Sequence, residues 1–224
     1  MHSPTDAAST DGCFALVVAY LFDINQGLPT LCVFAVPQYP ASGGLVIEPF
    51  ERVSSRLLVK TTIFALREDV AKHPHTGAAA PYVIVESPDW VNVIAETEVG
   101  EIVLIEQWRH GSRQVELEIP GGLVDPGEDS LAAGARELSE ETGYVAASLR
   151  VLGEVRPNPA FMDNRCTTIL ATGCRQLHAP NLDHDEDIAI RTVSRDELVR
   201  LVDDGTIAHS VVLCAIYRWL RGVA

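Results

Sequence analysis

Glu137, Glu140 and Glu141 stand three and four residues apart in a stretch that reads as helix, so their carboxylates share one face. Like charges that close repel, and a helix kept only for structure gains little from them. A divalent cation relieves the repulsion, because magnesium prefers oxygen ligands and combines a few carboxylates with the phosphate oxygens of a substrate. Arg136 can hold a neighbouring carboxylate by a bidentate contact. The competing account is a solvated acidic helix face, which charge clusters usually are. Metal-assisted chemistry on a phosphorylated ligand is what the first account offers.

The flanking residues shift the weight. Asp125-Pro126-Gly127 is turn chemistry, and Glu128 and Asp129 sit where a helix dipole favours negative charge. Ala132, Ala133 and Ala135 favour helix, Gly134 costs some propensity, and Gly143 suits a left-handed helix end. Gly122, five residues, Glu128, seven residues, then Arg136-Glu137-Leu138-Ser139-Glu140-Glu141-Thr142-Gly143 resembles the Nudix hydrolases at every fixed position of their motif. Seven fixed identities at roughly 1 in 15 each would coincide about once in 10^8 trials. Tyr144 takes a final position that is more often aliphatic. The resemblance implies a sandwich built on a mixed β-sheet, α/β or α+β in class, with the motif as loop–helix–loop. It also implies magnesium, or manganese in its place, held by Glu137, Glu141 and often Glu140, with the backbone carbonyl of Gly121 as a further ligand.

A wider resemblance covers roughly Phe50 to Leu220. Gln107-Trp108-Arg109-His110-Gly111, followed by Leu117-Glu118-Ile119-Pro120-Gly121-Gly122, looks like the ADP-ribose pyrophosphatase branch, as does the lead-in Val85-Glu86-Ser87-Pro88-Asp89-Trp90-Val91. The branch implies hydrolysis of a nucleoside diphosphate sugar, with ADP-ribose giving AMP and ribose 5-phosphate. It implies that Arg109 contacts the substrate phosphates, with Glu118 and Pro159 also at the substrate. A general base is implied in the acidic loop Asp183-His184-Asp185-Glu186-Asp187, where Glu186 matches best. Glu140 is the alternative base, and Arg136 belongs with the catalytic set. The run Pro157-Asn158-Pro159-Ala160-Phe161-Met162-Asp163 lacks the Ser-Pro-Gly of many ADP-ribose enzymes and looks more like members acting on other nucleotide sugars, such as GDP-mannose. Phe161 is suited to stack on a base or sugar, and equally to a core.

The elements that must position these residues are legible from pattern. Trp90–Ala95, Ile102–Trp108 and Val115–Ile119 read as strands, Ser130–Thr142 as the motif helix, Val151–Val155, Thr167–Ala171 and Ile188–Val193 as strands, and Asp196–Asp203 and Val211–Leu220 as helices. Ahead of residue 89, three short β-rich runs, Ser55–Lys60, Thr62–Arg67 and Tyr82–Glu86, suggest a small antiparallel sheet over residues 50–88. The branch implies that such a sheet packs across the two-fold of a homodimer. Residues 1–49 form an extension with two apolar runs, Cys13–Phe22 and Thr30–Val36, split by Asp23–Gly27 as in a hairpin, after a first dozen residues that read as mobile.

Composition closes off other classes. The net charge of −14 and the lack of any basic run speak against a nucleic-acid partner. The Cys13–Phe22 run is about half of a membrane-spanning helix, and acids rather than Lys or Arg precede it, so neither a bilayer span nor a secretory signal fits. Five scattered cysteines without a CxxC pair read as free thiols in a reducing cytoplasm.

Overall fold

Residues 91–95 are buried throughout, which a strand achieves only in the middle of a layered fold. The chain builds those layers in order. The computed structural model describes residues 14–22, 29–37, 47–182, 184 and 187–222, giving for 14–37 the strand course alone. Two units separate, Met1–Pro49 and Phe50–Ala224. In the first, β1 (Phe14–Phe22) pairs antiparallel with β2 (Pro29–Pro37), Phe14 opposite Pro37 and Phe22 opposite Pro29. The expected hairpin strands are therefore present, while Cys13, the Asp23–Gly27 turn and the first dozen residues lie outside the described residues.

The second unit opens with a three-stranded antiparallel sheet of β3 (Glu51–Lys60), β4 (Ala65–Lys72) and β5 (Ala79–Glu86), in that order. The second strand starts later than the alternation of Thr62–Arg67 suggests. Thr61 Oγ1 accepts from the backbone N–H of Ile63 and Phe64, and that local turn takes Thr62–Phe64 out of the ladder. Along β5, Val85 N donates to Phe161 O at 2.8 Å and Asp163 N to Val85 O at 3.3 Å. Arg67 adds ion pairs to Asp69, Glu86 and Asp163, clamping the sheet to the loop before residue 164.

The main sheet holds β6 (Trp90–Thr97), β7 (Ile102–Arg109), β8 (Gln114–Glu118), β9 (Gly121–Leu123), β10 (Tyr144–Val145), β11 (Ser148–Val155), β12 (Cys166–Gln176) and β13 (Ile188–Val193). Its main path runs β10-β12-β6-β7-β13, with β11 on β12, β8 on β7 and β9 on β6. The β6–β12 pairing is parallel, from Trp90 opposite Cys166 to Thr97 opposite Cys174, and the remaining pairs are antiparallel. This is a mixed α+β sandwich. On its far edge β6 meets β9 at Trp90–Asn92 and β7 only at Glu96.

Among the described residues three helices cover the two faces: α1 (Ser130–Thr142), α2 (Arg195–Asp203) and α3 (Ser210–Arg221). Strand period two sorts the core between them. Val93, Ala95, Ile169 and Ala171 pack with Leu138 of α1, while Ile94 and Leu170 pack with Leu198, Leu201, Val212 and Ile216 of α2 and α3. α1 begins at Asp129, whose carboxylate accepts from the N–H of Leu131 and Ala132. It ends at Gly143 in the left-handed region, φ 72°, with Gly143 N donating to Ser139 O. Among the described residues no helix is long and apolar enough to cross a membrane.

Candidate active site

The Gly121–Leu123 strand and the first turns of α1 face each other, and Arg136 joins them. Its Nε and Nη2 donate to the two oxygens of Glu128 at 3.1 and 3.0 Å, and Nη2 also reaches Leu123 O at 2.9 Å. Nη1 bridges Glu137 Oε1 and Glu140 Oε2, both at 3.0 Å. Glu128 additionally accepts from Asp125 N. Its hydrogen bonds from Arg136 and Asp125 hold Glu128 below the usual carboxylate range, and Glu128 in turn raises Arg136 above the usual guanidinium value. One arginine thus ties the loop after β9 to the helix and sets two of the three acids.

Glu141 is fixed from the other side. It is buried, and its Oε2 accepts from Gly121 N at 2.9 Å. Gly121 is closed in by backbone and Gly122 by the carboxylate of Glu137. A Cβ on Gly121 would lie 2.8 Å from Asn92 Cα, and one on Gly122 would lie 2.5 Å from Glu137 Cδ. The acids and the glycine strand are in effect one packed unit, which the motif spacing encodes.

These groups line a cavity of about 840 Å³, within the range of small-ligand sites. Across it stands Arg109 at the end of β7. Its Nε and Nη2 form a two-point contact with Glu118 at 2.7 and 2.8 Å. Glu118 is buried, and its Oε2 also contacts His209 Nδ1 at 2.9 Å. Burial alone would raise the Glu118 pKa, but Arg109 and His209 outweigh it and hold the group at about 2. Glu118 in return raises Arg109.

The structure brings together Arg109, Glu118, Gly121, Arg136, Glu137, Glu140 and Glu141 on this cavity. Pro159 and Phe161 are not among its lining residues; Met162 of the same run is, and Phe161 is exposed. Glu186, with Asp183 and Asp185, lies outside the described residues. The stems of that loop do flank the cavity: Asn181 N donates to Glu140 O at 2.8 Å, and Ile188 pairs with Gln107. Sequence reasoning missed His209. The one available signal is its place ahead of α3, where Ser, Thr, Asp or Asn is the usual cap.

A catalytic divalent cation would have to be held by oxygen donors, and the donor set here fits. Gly122 leaves the space that the Glu137 carboxylate occupies, and three glutamates and the Gly121 strand share one wall. Among the described residues no three acidic, imidazole or thiol groups converge on one point as they stand. As they stand, Glu137 and Glu140 are drawn together by Arg136 Nη1, which donates to both.

Known proteins agree with this architecture. The NUDIX domain family matches residues 87–215. An ADP-ribose pyrophosphatase of Mycobacterium tuberculosis is 34% identical over 169 residues, covering 75% of this chain and 81% of the relative. A methanol dehydrogenase activator of Bacillus methanolicus is 31% identical over 167 residues, covering 74% and 87%. A crystal structure of an ADP compounds hydrolase superposes with a TM-score of 0.68 at 20% identity, over 79% of this chain and 96% of the other. With the motif, its geometry and the relatives in accord, the chain belongs to the Nudix family.

Proposed function

We propose that this chain hydrolyses the pyrophosphate bond of a nucleoside diphosphate sugar, with ADP-ribose, yielding AMP and ribose 5-phosphate, as the first candidate. The observation that carries the proposal is one cavity with the three motif glutamates on one wall and the Arg109–Glu118 pair on another. Two relatives, from Mycobacterium tuberculosis and Bacillus subtilis, are named ADP-ribose pyrophosphatase, which supports the choice of substrate.

Glu137, Glu140, Glu141 and the Gly121 carbonyl are the groups that would hold magnesium, with manganese as a substitute. When bound, the ion polarises the diphosphate oxygens and offsets charge that develops on the leaving phosphate. The protein does the positioning. Nε and Nη2 of Arg109 are committed to Glu118, so Nη1 is left for a substrate phosphate. Arg136 keeps the acidic wall in register with the loop from Gly121 to Glu128. The attacking water gives its proton to a carboxylate, Glu186 first or Glu140 second. Glu186 is favoured because both stems of its loop stand at the cavity edge. Pro159 and Phe161 belong to a loop that reaches the cavity through Met162. That same loop favours a second reading, another nucleotide sugar such as GDP-mannose, since its sequence departs from that of many ADP-ribose enzymes.

The working form is a homodimer built on the three-stranded sheet. Val53, Leu57, Leu58 and Val59 of β3 are exposed, with Ile63 and Phe64 beside them, and Ile63 and Phe64 also line the cavity. The free thiols Cys166, Cys174 and Cys214 are in keeping with a cytoplasmic setting.

The test is phosphate release, after coupling to a phosphatase, from ADP-ribose, GDP-mannose, UDP-glucose, NADH, coenzyme A and diadenosine polyphosphates, each with magnesium and with EDTA. Magnesium-dependent turnover of one or two sugars is the expected result. Tight ADP-ribose binding with no turnover of any compound would replace the hydrolase by a binding module.

A further inference from the structure

The cavity has a third wall, formed by the start of α3 and the strand beneath it, to which no role is yet attached. Asn92 on β6 is buried at 5% exposure and lines the cavity. Its Nδ2 donates to Val211 O at 3.2 Å, which fixes the amide the right way round, because the oxygen placed there would face another acceptor. Oδ1 is buried and has no hydrogen-bond partner among the described residues. A buried acceptor left unpaired is costly, and such atoms are few in folded proteins. Beside it α3 begins without a side-chain cap among the described residues, since the His209 ring is turned to Glu118 instead. Val211 and Val212, in the first turn of that helix, line the same cavity, and the first N–H groups of a helix have no intrahelical acceptor.

We infer that Asn92 Oδ1 and the first turn of α3 form a hydroxyl-binding subsite for the substrate. An anion would match the helix donors but would be repelled by Oδ1. A cation would match Oδ1 but not the helix. A hydroxyl both donates and accepts, and suits the two together. It is supplied by the terminal sugar or by the nucleoside ribose, both of which carry it. The subsite deepens the proposed nucleotide-sugar reading and rests on it, but binding without metal tests it separately from catalysis.

The experiment is calorimetry in EDTA on the wild type and Asn92→Leu with three ligands: ADP-ribose, the methyl ester of ADP (no terminal sugar), and ADP-ribose lacking the adenosine 2′- and 3′-hydroxyls. Asn92→Leu should bind ADP-ribose about tenfold more weakly. That loss should vanish for whichever analogue lacks the recognised hydroxyl, which identifies its source. An equal loss for all three ligands, or no loss, overturns the subsite. So does a loss that appears only when magnesium is present, which would mean that Oδ1 serves the hydrated metal. If Asn92→Leu does not fold, the wild-type Asn92 side-chain amide carries the test: its NMR signals must shift on adding ADP-ribose in EDTA, and unmoved signals overturn the subsite. Absence of turnover by the wild type, with the ligand-dependent binding loss in Asn92→Leu still seen, would instead count against the hydrolase reading and leave this one standing.

Discussion

Replacing Glu118 by Gln keeps the shape of the side chain and removes the charge that Arg109 and His209 both hold. The size of the effect follows from the titration of Glu118. Its pKa falls from 4.5 to about 2 even though burial opposes the fall. That difference means the folded protein prefers the anion over the neutral acid by about 3 kcal/mol. The figure is an upper bound for the substitution, since Arg109 is 41% exposed and regains water once released. For a chain of this size it corresponds to a fall in Tm of roughly 6–12 °C at neutral pH. The folded pKa lies below the unfolded one, so this contribution is complete above about pH 4.5 and is lost as pH falls toward 2. Melting curves of both proteins at about pH 7 and about pH 3 are the assay, and the gap in Tm must narrow at the lower pH. Turnover should fall as well, because Arg109 loses the partner that aims it. A gap under about 2 °C at pH 7, or one that persists unchanged at pH 3, would refute the idea that Glu118 is held as a paired, buried anion.

Adjacent glycines should fail in different ways. Gly121→Ala must displace the backbone of Asn92, so it should cost about 1–3 kcal/mol in urea unfolding; Gly122→Ala meets only the movable end of Glu137, so it should melt near the wild type and lose activity. Glu141→Gln should lower magnesium-dependent kcat by more than about a hundredfold with the fold intact, beyond what loss of a partner outside the coordination shell costs; near-normal kcat would remove Glu141 from the metal set. Light scattering at micromolar concentration should give a dimer, and Leu57→Glu on the exposed β3 face should shift it to monomer without unfolding the main sheet.

How much of this was legible in the sequence depended on how far apart the contacting residues are. The motif is local: Gly122 to Gly143 spans one strand, one turn and one helix, and its spacing alone places Arg136 against Glu128, Glu137 and Glu140. Continuous apolar runs likewise located the central strands, whose Val93 and Ile94 face opposite cores. Gly134 read only as a propensity cost; the reason for it is that a Cβ there would lie 2.8 Å from Ile169 Cγ1, a contact 35 residues away that no helix pattern reveals. Thr61 shows the reverse case, a single hydroxyl overriding the β-rich run that follows it.

Glu118 marks the limit most sharply. The branch resemblance implied a contact with substrate, and Glu118 does line the cavity. Yet both its oxygens are taken by Arg109 nine residues earlier, and Oε2 is shared with His209 ninety-one residues later. An acid so satisfied has its oxygens directed to Arg109 and His209. The His209 contact depends on how α3 packs over β6 and on a helix start where an imidazole stands in place of a capping residue. Neither is encoded near Glu118. The acids of the motif are therefore readable from spacing, whereas the partners of Glu118 are set by tertiary packing. Substitutions at Glu118 and His209 should separate the two, changing how tightly the substrate phosphates are held while the acidic wall of α1 stays in place.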